Sequence, residues 1–217
     1  MTDTGLPARR AALSILSGVL QKRRPLDAGL DQLAGLPTRD AGFARALVSQ
    51  TLRHMGALDA VLRKFMAKPL VPHKAGAASE ILLLGACELL VLKVAAHAAV
   101  DAANELAAKD KKAVHFKPLI NAVLRKLAKE GETALSGLDR ERLSTPDWLW
   151  TRWSAQYDLG NARQIARAHQ QEAPVDIVLK SPDAAAPAGE NLFGAVRRLS
   201  DPGRIEEIGR ASCRERV

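Results

Sequence analysis

Apolar residues recur at steps of three and four along most of the chain, which is the spacing of amphipathic helices. The first such stretch covers residues 8–21, and a short second one covers residues 27–34. A longer stretch begins at Thr38, the predicted N-cap, and runs to Phe65 with a break near Gly56. The spacing therefore predicts helices throughout the first third of the chain.

Residues 79–94 are apolar on nearly every side, as is typical of a central, buried helix. Further helices are predicted over residues 98–109 and 116–130, with Gly131 as the stop of the last one. Aromatic residues make up only 4% of the chain, and its apolar residues are mostly Ala, Leu and Val. Because Ala and Leu are strong helix formers, composition and spacing together predict an all-α helical bundle.

The pattern changes after residue 142. A helix start is predicted at Pro146 and Asp147, and a second helix over residues 159–171. Two stretches then read as strands, residues 175–180 and, further on, residues 195–199. We therefore expect the bundle to be followed by a short helical linker and by the incomplete start of an α/β domain.

Basic residues are the only functional signal that the residues themselves give. The formal net charge is +8, and a basic protein is attracted to polyanions, above all nucleic acid. Arginine forks suit phosphate groups best, although an ordinary solvated basic surface is the competing interpretation. A basic run, Lys22–Arg24, follows the first helix. The candidate RNA-binding residues are Arg9, Arg10, Arg39, Arg45, Arg53, Arg125 and Lys126.

Grouped catalytic side chains are missing from the sequence. No two histidines lie at helical zinc-ligand spacing, and no glycine-rich phosphate loop is present. Cys87 lies in the most apolar stretch, where a thiol keeps a high pKa and belongs to the core. His54 falls on an apolar stripe, which favours a core or groove-edge role over a catalytic one. We therefore predict no catalytic, cofactor-binding or metal-binding residue in this chain.

The chain carries no recognisable targeting segment. Residues 1–7 lack the charged start and apolar run of a signal peptide. The apolar residues 81–96 are too few for a membrane span and include Glu88 and Lys93. The two cysteines form no disulfide framework. We expect a soluble, cytoplasmic monomer without membrane contact.

The last residues, 208–217, match what translation of sequencing-library DNA would give. One allowed set of codons for Ile-Gly-Arg-Ala, ATC GGA AGA GCG, resembles the start of a common sequencing adaptor, and the following residues fit its continuation. We therefore expect the natural coding sequence to stop near Glu206 or Glu207, with residues 207–217 as a non-native tail.

Four segments, in the same order, resemble the motifs of NusB-like domains, which are helical and bind RNA. The first combines RDAGFARALV with LRH, and the others read ILLLGACELL, HAAV and LINAVLRK, over residues 39–54, 81–90, 97–100 and 119–126. The resemblance covers roughly residues 8–131. The family's buried helix has glutamine at the position of Glu88, so this charge needs a partner or a wet environment.

The next segment distinguishes among members of that family. Residues 145–153, TPDWLWTRW, resemble the tryptophan-rich joint of the Sun/Fmu (RsmB-type) methyltransferases, and residues 166–180 resemble the entry to their next domain. The resemblance implies the RNA-binding N-terminal module of an enzyme that methylates carbon 5 of cytosine in small-subunit ribosomal RNA. S-adenosylmethionine is implied for the full-length enzyme only, because the family's catalytic cysteines and AAPGGKT-type loop do not occur here.

Two other interpretations stay open on the sequence. One is a stand-alone NusB-type antitermination factor that binds RNA and a ribosomal protein, and the other is a helical protein-interaction module without RNA. The leading interpretation divides the chain into a NusB-like domain, a helical linker, the start of a methyltransferase subdomain and the tail, at residues 1–142, 143–172, 173–206 and 207–217.

Overall fold

A computed structural model describes residues 5–180 and 188–200 of the chain. The predicted 207–217 tail lies outside these residues. The helices are α1 Leu6–Lys22, α2 Leu26–Leu30, α3 Thr38–Arg53, α4 Met55–Phe65, α5 Pro72–Ala75, α6 Ala78–Leu90, α7 Ala96–Lys109, α8 Lys117–Ser136, α9 Arg140–Leu143 and α10 Asp147–Gln170. The strands are β1 Asp176–Val178, β2 Gly189–Phe193 and β3 Val196–Leu199.

Helix α6 forms the centre of the bundle. Nearly all of its side chains are buried, as the apolar pattern predicted. Helices α1, α3, α4, α7 and α8 pack around it. The apolar faces of these helices bury one continuous core, and its largest fully buried members include Leu47, Leu58, Ile81 and Leu124. The prediction of an all-α bundle is confirmed. No helix among the described residues is long and apolar enough to cross a membrane.

Two predicted helix boundaries involve glycines, and one of them is correct. The break predicted near Gly56 is confirmed and falls at His54, which is non-helical between α3 and α4. Helix α8 does not stop at Gly131 and continues to Ser136. Gly131 is buried, and a Cβ atom built on it would lie 2.8 Å from a methyl carbon of Leu90. The prediction of a helix stop is wrong because this glycine allows close helix packing instead.

The two helices predicted after Pro146 form α10, which is interrupted at Asp158. This residue has φ 66° and ψ 170°, outside the helical region. Its carboxylate accepts a hydrogen bond of 2.9 Å from the backbone N–H of Asn161. Asp158 therefore caps the second half of α10, and the predicted division into two helices is confirmed.

The strands form an antiparallel sheet in the order β1-β3-β2. The strand predictions for residues 175–180 and 195–199 are confirmed in position. Strand β2 was not predicted, because it follows a stretch rich in Pro, Ala and Gly that reads as a loop. Of the described residues, 5–170 form one compact unit, which includes most of the predicted linker, and those after Gln170 form another.

Candidate RNA-binding surface

Arg9 lies in the core and not on the surface. Only 6% of the residue is exposed. Its Nε atom lies 3.0 and 2.9 Å from the two carboxylate oxygens of Glu88, and a terminal nitrogen lies 2.5 Å from one of them. The guanidinium carbon also lies 4.9 Å from the ring centroid of Phe43. The prediction that Arg9 contacts RNA is therefore wrong, because a buried guanidinium paired in this way cannot reach a phosphate.

The same ion pair explains how a carboxylate can stand in the central helix. Burial raises the pKa of Glu88, and the hydrogen bonds and positive charge of Arg9 act against that rise. Arg9 comes from α1 and Glu88 from α6, 79 residues apart in the chain. The partner that the charge of Glu88 requires is thus supplied by the first helix, and the pair fixes α1 against the core.

One group of the remaining candidates lies on two neighbouring helices. Arg10 is exposed on α1, while Arg39 and Arg45 are exposed on α3. Arg53, at the end of α3, is partly buried. Helices α1 and α3 pack directly against each other. The outward faces of this helix pair therefore carry guanidinium groups that can reach phosphates.

A second group lies on α8. Arg125 and Lys126 are both exposed there. The Nε atom of Arg125 donates to the side-chain oxygen of Asn121 at 3.1 Å, and the same oxygen accepts from the amide nitrogen of Asn104 at 3.1 Å. Lys126 lies with its Nζ atom 5.5 Å from the ring centroid of Phe65. Arg125 is therefore held by Asn121 of the same helix, which Asn104 of α7 fixes in turn, and Lys126 lies against Phe65 of α4.

Asn104 and Asn121 were not singled out in the sequence. Asn121 precedes Arg125 by four residues on the same helix, which is the spacing of side-chain neighbours. That spacing was a usable signal for the Asn121 contact. The side-chain oxygen of Asn104 is buried without a hydrogen-bond partner. The contact between Asn104 and Asn121 depends on how α7 packs against α8, so only the tertiary structure shows it.

His54 marks a further basic area that the sequence did not reveal. Burial lowers its pKa, and the nearby charges of Arg140 and Arg53 lower it further. The imidazole is half-buried between α3 and α4, as expected for a groove-edge residue. Arg140 begins α9 and is exposed. The end of α3 and the start of α9 thus bring Arg53 and Arg140 close to the same side chain.

A cluster of charged and aromatic side chains joins α9 to α10. The centroid of the Trp150 ring lies 5.4 Å from the guanidinium carbon of Arg142 and 5.6 Å from that of Arg163. Arg163 donates to both carboxylate oxygens of Asp139, at 2.8 and 2.6 Å. Arg167 pairs with Glu141 at 3.1 Å. Because these cations are paired with carboxylates, we interpret this α9–α10 joint as a structural contact between the two helices and not as a binding site.

Acid is expected to loosen the α9–α10 joint. The hydrogen bonds from Arg163 hold the pKa of Asp139 below its usual value of 3.8. A carboxylate whose pKa is lower in the folded state stabilises that state above its unfolded pKa, and the contribution is lost as the pH falls through the folded pKa. All three tryptophans lie in α10. Their fluorescence should therefore change as the pH falls below 3.8.

The control for this titration is Asp139→Asn. This variant should show the altered tryptophan emission already at neutral pH and a smaller change in acid. Far-ultraviolet circular dichroism should be followed in parallel, so that loosening of the joint is separated from unfolding of the bundle. Identical titration curves for the two proteins would contradict the assignment to Asp139.

The described residues hold no grouping of metal-binding side chains. Within residues 5–180 and 188–200, no group of three or more His, Cys, Asp or Glu side chains is placed to hold a metal ion. Cys87 is fully buried, and burial raises the pKa of its thiol to about 12. A thiol with this pKa is not a nucleophile at neutral pH. Cys87 is therefore a core residue, as predicted.

The bundle consists of helices packed around one central apolar helix, with cations on the outer faces. This arrangement places it among small all-α domains that can bind nucleic acid. Residues 6–129, more than half of the chain, match the NusB family. The chain belongs to the NusB family. The resemblance found in the sequence is confirmed.

Relatives extend the similarity beyond that domain. The chain is 35% identical over 147 residues to the ribosomal RNA small subunit methyltransferase B of Pseudomonas putida, covering 66% of this chain and 33% of that protein. It is 31% identical over 172 residues to the protein of that name from Pasteurella multocida, covering 78% and 38%. It is 31% identical over 205 residues to the protein of that name from Sodalis glossinidius, covering 87% of this chain and 47% of that protein. The chain thus spans between a third and a half of the length of these relatives.

Proposed function

We propose that this chain binds small-subunit ribosomal RNA as the N-terminal module of an S-adenosylmethionine-dependent methyltransferase acting on carbon 5 of cytosine. The observation that carries the proposal is the set of exposed cations on α1, α3 and α8 of a NusB-family bundle. Relatives named as ribosomal RNA methyltransferases support the choice of ribosomal RNA. The stretch from α9 to β3, which follows the NusB match, favours this function over that of a stand-alone antitermination factor.

The chain's own residues supply binding and orientation. Guanidinium groups on α1 and α3 contact the phosphates of the RNA backbone, and each such contact releases a condensed counterion. Arg125, held by Asn121, presents a fixed donor fork on α8. Contacts of this kind position an RNA without reading its sequence. We therefore propose that this module binds and orients the RNA, and that other parts of the enzyme select the target nucleotide.

The described residues do not fit S-adenosylmethionine. A nucleotide cofactor of this kind is commonly held where a parallel strand meets a helix N-terminus through a glycine-rich loop. The strands seen here are short and antiparallel. The function proposed for these residues is therefore RNA binding and not methyl transfer.

Binding to ribosomal RNA is expected to fall steeply as salt is added. The measurement is fluorescence anisotropy with the whole 217-residue chain and overlapping transcripts that together cover the small-subunit ribosomal RNA. The double variant Arg10→Gln/Arg45→Gln should weaken binding roughly tenfold and lower the slope of log affinity against log salt by up to about two. Both residues are exposed, so the fold should persist.

The matched control is Arg152→Gln/Lys109→Gln, on α10 and at the end of α7. It removes the same net charge from exposed positions outside α1 and α3. Its affinity should stay close to that of the unchanged chain. Equal weakening in both double variants would remove α1 and α3 from the RNA-binding surface. If no transcript binds at any salt concentration, the proposed function itself is wrong.

A further inference from the structure

Arg23, at the end of α1, adopts a backbone conformation that arginine rarely takes. Its φ is 52° and its ψ 34°, in the left-handed region. The backbone amides of Arg23 and Arg24 close the helix by donating to the carbonyl oxygen of Gly18, the latter at 3.0 Å. Glycine is the usual residue at such a helix end, because it reaches this conformation without steric cost. An arginine here is strained; its charge is favourable beside the carboxyl end of α1, but Lys22 in the last turn already supplies such a charge.

The side chains at this end of α1 are free cations. Lys22, Arg23 and Arg24 are all exposed, and no ion pair joins them to any residue that the structure describes. The nearby carboxylates have other roles. Glu80 is buried and accepts a hydrogen bond from Gln21, and Asp27 lies in the first turn of α2, where a negative charge is favourable. The basic tip, Lys22–Arg24, therefore keeps its positive charge available to a ligand.

Helix α1 connects this tip to Arg10. The helix contains no Asp or Glu over residues 6–22. Its exposed positions include Arg10, Ser14 and Gln21, which share one side of the helix at the expected spacing. From Arg10 to Arg23 the distance along the axis is about 20 Å, at a rise of 1.5 Å per residue. A nucleic acid strand can follow this side without meeting a carboxylate of α1.

We propose that the basic tip, Lys22–Arg24, is a second phosphate-binding point for RNA, and that arginine occupies the left-handed position at residue 23 for binding rather than for stability. The inference rests on the proposed RNA-binding function and adds to it the path of the RNA backbone, along the outer side of α1 from Arg10 to Arg23. Strain kept at a position where glycine would fit better is commonly a mark of a functional residue.

The test is Arg23→Gly in the whole chain. Glycine relieves the left-handed strain, so the midpoint of urea unfolding should stay the same or rise. Removal of the guanidinium should weaken binding to the ribosomal RNA transcripts roughly fivefold and lower the salt slope by about one. Stability and affinity should thus move in opposite directions, which a purely structural role of Arg23 would not produce.

Lys93→Gly provides a closely matched control. Lys93 also has a left-handed conformation, with φ 55°, and follows a helix end, but its charge is paired with Glu132. This variant relieves the same kind of strain and removes one positive charge elsewhere on the bundle. Its RNA affinity should change little.

The outcomes separate the inference from the function on which it rests. Weaker binding by Arg23→Gly than by Lys93→Gly, with undiminished stability, supports the basic tip as a contact. Equal affinities of the two variants, or a loss of stability that accounts for the loss of binding, would overturn it. If the unchanged chain binds no transcript, the proposed function fails first.

Discussion

Replacement of Arg9 by alanine is expected to lower the free energy of unfolding by about 3–5 kcal/mol. The side chains of Arg9 and Glu88 are 7% and 3% exposed, so removing the guanidinium leaves a carboxylate in the core without its counter-charge. A buried charge that loses its only partner is among the most destabilising changes known for a single residue. Urea unfolding followed by far-ultraviolet circular dichroism measures the effect.

The neighbouring residue is the natural control. Arg10→Ala removes the same side chain from an exposed position and should change the free energy of unfolding by less than about 0.5 kcal/mol. The joint replacement Arg9→Met/Glu88→Leu should cost less than Arg9→Ala alone, because no buried charge is left. Similar stabilities for Arg9→Ala and Arg10→Ala would refute the buried pair. The two adjacent arginines must therefore be tested separately, since a double variant would confuse loss of folding with loss of RNA contact.

Gly56→Ala is expected to destabilise the fold by about 2–3 kcal/mol. A Cβ atom on Gly56 would lie 1.8 Å from the backbone carbonyl oxygen of Leu143 and 2.5 Å from its carbonyl carbon. Since the clash is with main-chain atoms, a change of rotamer cannot relieve it. Helix α4 and the end of α9 would have to separate. The midpoint of urea unfolding should fall accordingly.

Gly42→Ala is the matched control for this substitution. Gly42 lies in the exposed part of α3, and a Cβ atom built there meets nothing within 4 Å. Alanine is the better helix former by about 1 kcal/mol, so this variant should be more stable than the unchanged chain. The same chemical change should thus have opposite signs at the two glycines. A Gly56→Ala protein as stable as Gly42→Ala would show that α9 does not pack against α4 as described.

The helical spacing was enough to predict the bundle but not its exact ends. Periodic apolar positions predicted the central helix correctly, yet placed its end at residue 94, whereas α6 ends at Leu90. In the sequence Gly131 is ambiguous, because glycine both ends helices and allows helices to approach closely. Only the packing of Leu90 against it distinguishes the two roles. Helix ends thus depend on tertiary contacts that local patterns do not contain.

The same limit applies to the candidate site. Arg9 is three residues before Ala12 and seven before Leu16, so its position on α1 already faces inward. A buried arginine requires a carboxylate partner, and the partner here, Glu88, is 79 residues away in the chain. Local sequence therefore does not reveal it. The sequence showed that Glu88 needs a partner but not which residue supplies it. The candidates Arg10, Arg45 and Arg125 are exposed on helix surfaces, while the RNA contact itself stays a prediction.

The contact between Gly56 and Leu143 also decides where the chain can be shortened for separate expression. A fragment ending at residue 142 would uncover the backbone of α4 at Gly56 and would leave Asp139 without Arg163. Such a fragment would expose main-chain and side-chain surface that is covered in the longer chain. We therefore expect it to aggregate for reasons unrelated to RNA. A fragment ending after Gln170 keeps every one of these contacts and is the smallest piece that biophysical work should use.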